Sequence, residues 1–176
     1  MLTRLMIFTM ALSFNTTLLF DFNAEADMRY WYVVNDTVMG GRSSCSFRLN
    51  EEGHGVFRGT VSLENNGGFS SVRHRFRPVN VENKSQLTLR LKGDGKRYQV
   101  RIKDSRRRYY SYITYIATST DWATYELNLA DFYPYFRGYE LDRPNFNHDS
   151  IEELSILIGN KKAESFELLI DKIELQ

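Results

Sequence analysis

The chain has one cysteine, Cys45, three histidines and three prolines in 176 residues. A single thiol excludes an intramolecular disulfide and any zinc site built on several cysteines. His54, His74 and His148 are too far apart to form a short-range ligand pair, so neither a metal nor a cofactor is expected. Charge of one sign is also missing. Lys and Arg number 23 against 22 Asp and Glu, a net of +1, which excludes a generally polycationic nucleic-acid binder but allows a local basic patch. No apolar run approaches the ~20 residues of a membrane-spanning helix. The serine elbow G-x-S-x-G, the P-loop and the EF-hand loop are all absent from the sequence.

What is present describes one globular domain. Hydrophobic residues are 42% and charged residues 26%, which excludes whole-chain disorder. Aromatics are abundant, with 11 Tyr and 12 Phe, and lean toward strands. Residues 1–16 are set apart as an N-terminal tail or short signal-like segment, and 17–176 as the domain. In the tail, Arg4 precedes an apolar stretch, and Ala11-Leu12-Ser13 offers a weak cleavage site. A cytoplasmic location is expected, with export through this segment as the alternative.

Period-two alternation recurs through the domain. Cys45, Phe47 and Leu49 alternate with Ser44, Ser46 and Arg48, and Leu87, Leu89 and Leu91 with Thr88 and Arg90. Tyr98, Val100 and Ile102 alternate with Gln99, Arg101 and Lys103. Successive side chains of a strand point to opposite faces, so these runs predict half-buried strands. About ten are expected, at a short spacing typical of sandwiches. Gly93-Asp94-Gly95 predicts a hairpin turn. Residues 23–30 and 150–153 are each expected to hold a helical turn or two, and 133–149 to be irregular. The run 109–118 is apolar or aromatic on both faces, which places it centrally or under a partner. The fold class is therefore all-β: an antiparallel β-sandwich of jelly-roll layout.

Candidate chemistry is sparse. His74 sits between Arg73 and Arg75 and is expected to be a sheet residue, while His148-Asp149 is an acid–base pair in sequence only. Asp36, Asp94, Asp121 and Asp131 lie at loops or strand ends, where turn geometry selects acids anyway. No catalytic residue is assigned and no enzyme is expected. Arg106, Arg107, Arg108, Tyr109 and Tyr110 mix arginines with tyrosines as a single-stranded nucleic-acid platform would. The plainer reading is a solvated hairpin tip whose tyrosines enter the next strand, and nucleic acid is not the expected partner. Cys45 is expected to be a buried structural thiol. For recognition the candidates are Asn35, Asp36, Gly40, Gly41, Asn66, Gly67, Gly68 and Arg73. Paired glycines let a backbone turn tightly and approach a partner, although turns need them regardless of function.

Several blocks together resemble the complex I intermediate-associated protein family. They are Leu19-Phe20-Asp21-Phe22, the run from Trp31 to Ser43, Val56 to Leu63, and Asn65 to Arg73. Leu91 to Tyr98, Asp131 to Pro134, Phe136-Arg137-Gly138, Ile156 to Gly159 and Phe166 to Ile173 continue the match in order. The resemblance implies a galactose-binding-like β-sandwich and a chaperone-like role in assembling the NADH:ubiquinone oxidoreductase. A protein partner is then expected, possible subunits or intermediates of that respiratory complex among them, and no catalytic residue carries over. The chain resembles a bacterial-type, single-domain relative. Carbohydrate or cell-envelope glycan binding is the alternative, with Trp31, Trp122, Tyr133 and Tyr135 as platforms and Asn35, Asp36 and Asn66 as hydrogen-bonders.

Overall fold

Period-two runs become strands wherever turn residues interrupt them. The computed structural model describes residues 16–176, so the signal-like reading of the tail lies almost wholly outside the described residues. The strands are β1 (Thr17–Asp21), β2 (Trp31–Asn35), β3 (Ser44–Leu49), β4 (Gly55–Val61), β5 (Ser70–Asn80), β6 (Gln86–Lys92) and β7 (Arg97–Lys103). They continue as β8 (Ser111–Ala117), β9 (Ala123–Asn128), β10 (Tyr133–Phe136), β11 (Tyr139–Glu140), β12 (Ser150–Ile158) and β13 (Glu164–Leu175).

Two antiparallel sheets form. One has the order β3-β4-β13-β6-β9, with β1 also on β13; the other runs β11-β10-β8-β7-β12-β5-β2. The long β13 takes β4 along its first half and β1 along its second, which brings the two ends of the domain together. Between the sheets lie Leu87, Leu89 and Leu91, with Leu168, Ile170 and Ile173. They face Tyr98, Val100, Ile102, Leu154 and Ile156, and all of these are buried. Burying each such side chain contributes about 1.5–3 kcal/mol, so this layer holds the sheets together. At one end an aromatic cluster closes the sandwich. Trp31 stacks on His74 at 4.5 Å, and Phe20, Phe22 and Phe47 pack around it.

Three expectations are corrected. Gly93–Gly95 is no hairpin turn, because β6 and β7 lie in different sheets. The positive φ of Gly95 serves a crossover as well as it would a hairpin. Residues 150–153 open β12 rather than a helix. A bulge between Ile151 and Glu153 keeps Ile151 and Leu154 both on the core side, which blurs the alternation. In 23–30 the expected turns do form: the Ala26 amide donates to the Asn23 carbonyl, and Met28–Tyr30 is a 3-10 turn with the Asp27 carboxylate accepting from the Arg29 amide. Finally, 133–149 is not irregular throughout. Its first part supplies β10 and β11 at one edge of the seven-stranded sheet. Among the described residues no helix is long and apolar enough to cross a membrane.

Candidate functional site

The two Gly-Gly loops meet, and Asp36 is the reason. It opens a 3-10 turn after β2 and is fully buried. Its carboxylate accepts from the Ser43 amide at 2.9 Å, the Ser43 hydroxyl at 2.5 Å, the Gly68 amide at 2.6 Å and the Phe69 amide at 3.3 Å. Gly41 and Gly67 both lie against it so closely that a Cβ on either would collide with the carboxyl group. Gly40 ends the turn in the left-handed region, and its carbonyl accepts from the Asn65 side chain at 3.1 Å. Burial pushes the Asp36 carboxyl up, but the bonds from Ser43, Gly68 and Phe69 outweigh it and leave the group below its ordinary range. With four donors in place, this carboxylate is occupied inside the fold.

The remaining members of the predicted cluster fare differently. Asn35 accepts a 2.9 Å bond from the Cys45 thiol through its side-chain oxygen. Cys45 itself is half-buried rather than buried, because β3 is an edge strand of its sheet. Burial still raises the thiol above its ordinary value. Asn66 is exposed in the left-handed region. Arg73 does not join the loops. It lies on β5, on the outward face of the seven-stranded sheet, with a terminal nitrogen 3.9 Å from the Glu153 carboxylate.

That outward face carries rows of side chains that cross most of the sheet. The strand register places Arg73 opposite Tyr32 and Ser155, Ser155 opposite Arg101, Arg101 opposite Ile113, and Ile113 opposite Tyr133. One row, Tyr32–Arg73–Ser155–Arg101–Ile113–Tyr133, therefore crosses six strands. A neighbouring row brings Val34, Ser71, Leu157, Gln99 and Tyr115 together. Every described strand belongs to one of the two sheets, so among the described residues no third layer covers this face. Yet Ile113 is 0% exposed, Glu153 4% and Gln99 6%, because long side chains roof over the short ones.

The polar groups here are tied to one another. Gln99 donates to the Tyr115 hydroxyl at 2.6 Å and accepts from Arg101 Nε at 2.9 Å. Arg75 Nε and the Tyr32 hydroxyl both donate to Glu153, at 2.9 and 3.3 Å. Arg97 lies over the Tyr115 ring at 4.4 Å and Arg101 over Tyr135 at 5.9 Å. Burial, with Arg73 adding to it, lowers Arg101 to about 10, and burial raises Tyr133 and Tyr135. The sequence does carry a trace of this surface: 109–118 reads as covered on both faces, and Ile113 and Tyr115 are the half that turns outward.

Of the aromatic platforms expected for a glycan, Tyr133 and Tyr135 lie on this face. Trp31 lies in the core and Trp122 packs on His54 at 4.6 Å. The arginines of the Lys103–Tyr110 segment are largely engaged: Arg108 pairs with Asp104, and Arg106 with Glu152. His148 turns to Asp104 at 3.9 Å rather than to Asp149, and meets the Tyr112 hydroxyl at 2.7 Å. Tyr112 is buried, and burial raises its hydroxyl well above the ordinary range, the opposite of an activated nucleophile. Among the described residues no group of three or more His, Cys, Asp or Glu is placed to hold a metal ion.

Against known proteins, the sequence matches the family model described as complex I intermediate-associated protein 30 over residues 20–170. In structure the chain is similar to a family 11 carbohydrate-binding module from Clostridium thermocellum in complex with a β-1,3-1,4-mixed-linked tetrasaccharide. The TM-score is 0.65 at 16% identity, covering 91% of this chain and 94% of that one. A family 11 carbohydrate-binding module of the cellulosomal cellulase Lic26A-Cel5E of Clostridium thermocellum aligns with a TM-score of 0.66 at 15% identity, over 91% and 93% of the two chains. An agarase, AgWH50C, aligns with a TM-score of 0.61 at 14% identity, over 92% of this chain but 24% of its own. At these identities the likeness is one of fold, a jelly-roll β-sandwich.

Proposed function

Because the chain belongs to the complex I intermediate-associated protein 30 family, we propose that it is a non-catalytic binding module that assists assembly of the respiratory NADH:ubiquinone oxidoreductase. The observation that carries this reading is the span of the family match, which begins in β1 and ends in β13. The surface best suited to a partner is the outward face of the seven-stranded sheet. Its aromatic and arginine side chains are those enriched where proteins meet. The Asp36 clasp, by contrast, is saturated internally. The test is deletion of the gene in the organism that encodes it, followed by native gels stained for NADH oxidation. Mature oxidoreductase should fall, subcomplexes should accumulate, and the wild-type chain should restore both. Unchanged oxidoreductase in the deletion strain would end this reading.

A second reading, glycan binding, has one specific observation behind it. Tyr133, Tyr135 and Tyr115 lie beside Gln99 and Arg101 on a sheet face that no described strand covers, and aromatic surfaces with nearby hydrogen-bonders suit sugars. A glycan array with the purified chain decides it, since saturable binding is required and silence removes it. N-terminal sequencing adds a second arm, because cleavage after Ser13 would place the chain with envelope glycans.

A further inference from the structure

We propose that Arg73 and Arg101 together form a carboxylate-binding seat, and that its occupant is an acidic segment of a protein partner. The inference rests on the assembly reading above and names the chemistry of its docking face.

Ser155 on β12 is paired with Arg73 on one side and with Arg101 on the other. Two arginines therefore flank one small, buried residue, which leaves a floor between their side chains. Neither guanidinium is neutralised in full. Arg101 is partly buried, and its hydrogen bonds go to the uncharged side-chain oxygen of Gln99. Gln99 cannot turn away, because its amide is committed to Tyr115. The Nε of Arg73 is buried without a hydrogen-bond partner, and its terminal nitrogen reaches Glu153 only at 3.9 Å. Glu153 in turn is already bonded to Arg75 and Tyr32. A buried donor without an acceptor and a sheltered cation without an anion are both unfavourable. The Arg73 side chain is 28% exposed, so an incoming carboxylate meets its terminal nitrogens rather than the buried Nε and supplies the missing anion. Arg101 keeps the donors of Nη1 after Nε and Nη2 bond Gln99, and these with the terminal nitrogens of Arg73 supply the planar N–H groups that suit a carboxylate.

The surrounding face selects the same charge. Arg73, Arg75, Arg97, Arg101 and Lys103 point outward from β5 and β7, against Glu153 and the edge residue Glu140. Tyr32 and Tyr133 close the row at its two ends. The central strands have both neighbours in place, so a partner cannot add a strand there and must be read through side chains. An acidic protein segment fits that constraint, the positive charge and the family. An anionic saccharide shares the carboxylate chemistry and is the competing occupant.

The experiment uses the full chain with 15N-labelled arginine, following the Nε–H signals of Arg73 and Arg101. The probes are a capped hexaglutamate peptide, trigalacturonate and a neutral mixed-linked glucan tetrasaccharide. Hexaglutamate should shift both signals, and its binding should weaken as salt is raised. Arg101→Gln and Arg73→Gln should each weaken that binding about tenfold or more, while Arg58→Gln on the other sheet leaves it within about twofold. Arg101→Lys keeps the charge but not the fork, and should also bind weakly. No shift with hexaglutamate, undiminished binding by folded Arg101→Gln, or tighter binding of either saccharide overturns the proposal. A separate complementation arm distinguishes the two levels. If the wild-type chain restores oxidoreductase in the deletion strain and Arg101→Gln restores it equally, the seat is wrong and the assembly reading stands. If deletion has no effect on the oxidoreductase, the assembly reading itself falls.

Discussion

His74 is 6% exposed and lies flat on Trp31. Burial lowers it from 6.5 to about 4, so it is neutral in the fold. Between those values the unfolded chain binds the proton and the native chain does not, so stability rises with pH through that window. Acidification from about pH 6.5 to 4 should therefore cost about 3 kcal/mol, and His74→Phe should flatten that part of a urea-midpoint profile. A slope that survives the substitution would assign the effect elsewhere. Asp36 acts further down. Its folded value lies below the usual 3.8, so its contribution is present above that value and is lost as pH falls through the folded one. Asp36→Asn keeps the shape but turns an amide toward at least one of four donors. It should cost about 2–4 kcal/mol and lower the melting midpoint by several degrees. A midpoint that barely moved would return Asp36 to the list of recognition residues. Cys45 should react slowly with a thiol reagent in the native chain and quickly in urea, since burial raises its pKa; equal rates would contradict the packing.

At the scale of the element, neighbouring glycines do different work. Gly40 has φ of 89° with open space where a Cβ would stand, whereas Gly41 has ordinary φ but lies against the Asp36 carboxyl. Gly40→Ala should therefore cost about 1 kcal/mol through backbone strain alone. Gly41→Ala should cost more, about 1–3 kcal/mol, because the clasp must open to admit the methyl group. Thermal melts of the two variants check the order, and equal losses would mean that Asp36 moves aside freely. Gly59 marks a third case. A Cβ there would strike the backbone carbonyl of Ser44 on the adjacent strand, so Gly59→Ala should disturb the pairing of β3 with β4. Hydrogen exchange should show that edge opening first.

For the whole molecule, the pairing of β1 with β13 closes a sandwich whose ends are far apart in sequence. Phe20 of β1 packs on Trp31 at 5.3 Å and on His74 at 5.0 Å, so the first strand also roofs the aromatic cluster. A chain beginning at Phe22 should unfold at much lower urea than one beginning at Thr16, by several kcal/mol of lost burial, and should expose His74 to protonation near its ordinary value. If the two chains unfold together, the aromatic cluster closes without β1.

The sequence by itself determined the class of fold and the family, because alternation, turn residues and ordered blocks are local properties. It also sorted residues onto faces: Gln99, Arg101 and Lys103 oppose Tyr98, Val100 and Ile102 in the string as they do in the sheet. It placed Arg73 with the glycine loops because both lie in one stretch of chain, and it took Gly93–Gly95 for a hairpin because a crossover uses the same turn residues. Strand neighbours were decided only by tertiary structure. Period two states which way a side chain points, but not which strand lies alongside, and the row from Tyr32 to Tyr133 draws on β2, β5, β12, β7, β8 and β10. Burial was decided there too: Asp36 is a loop acid in sequence, and becomes a buried strut only when the second glycine loop, some thirty residues on, delivers its amides.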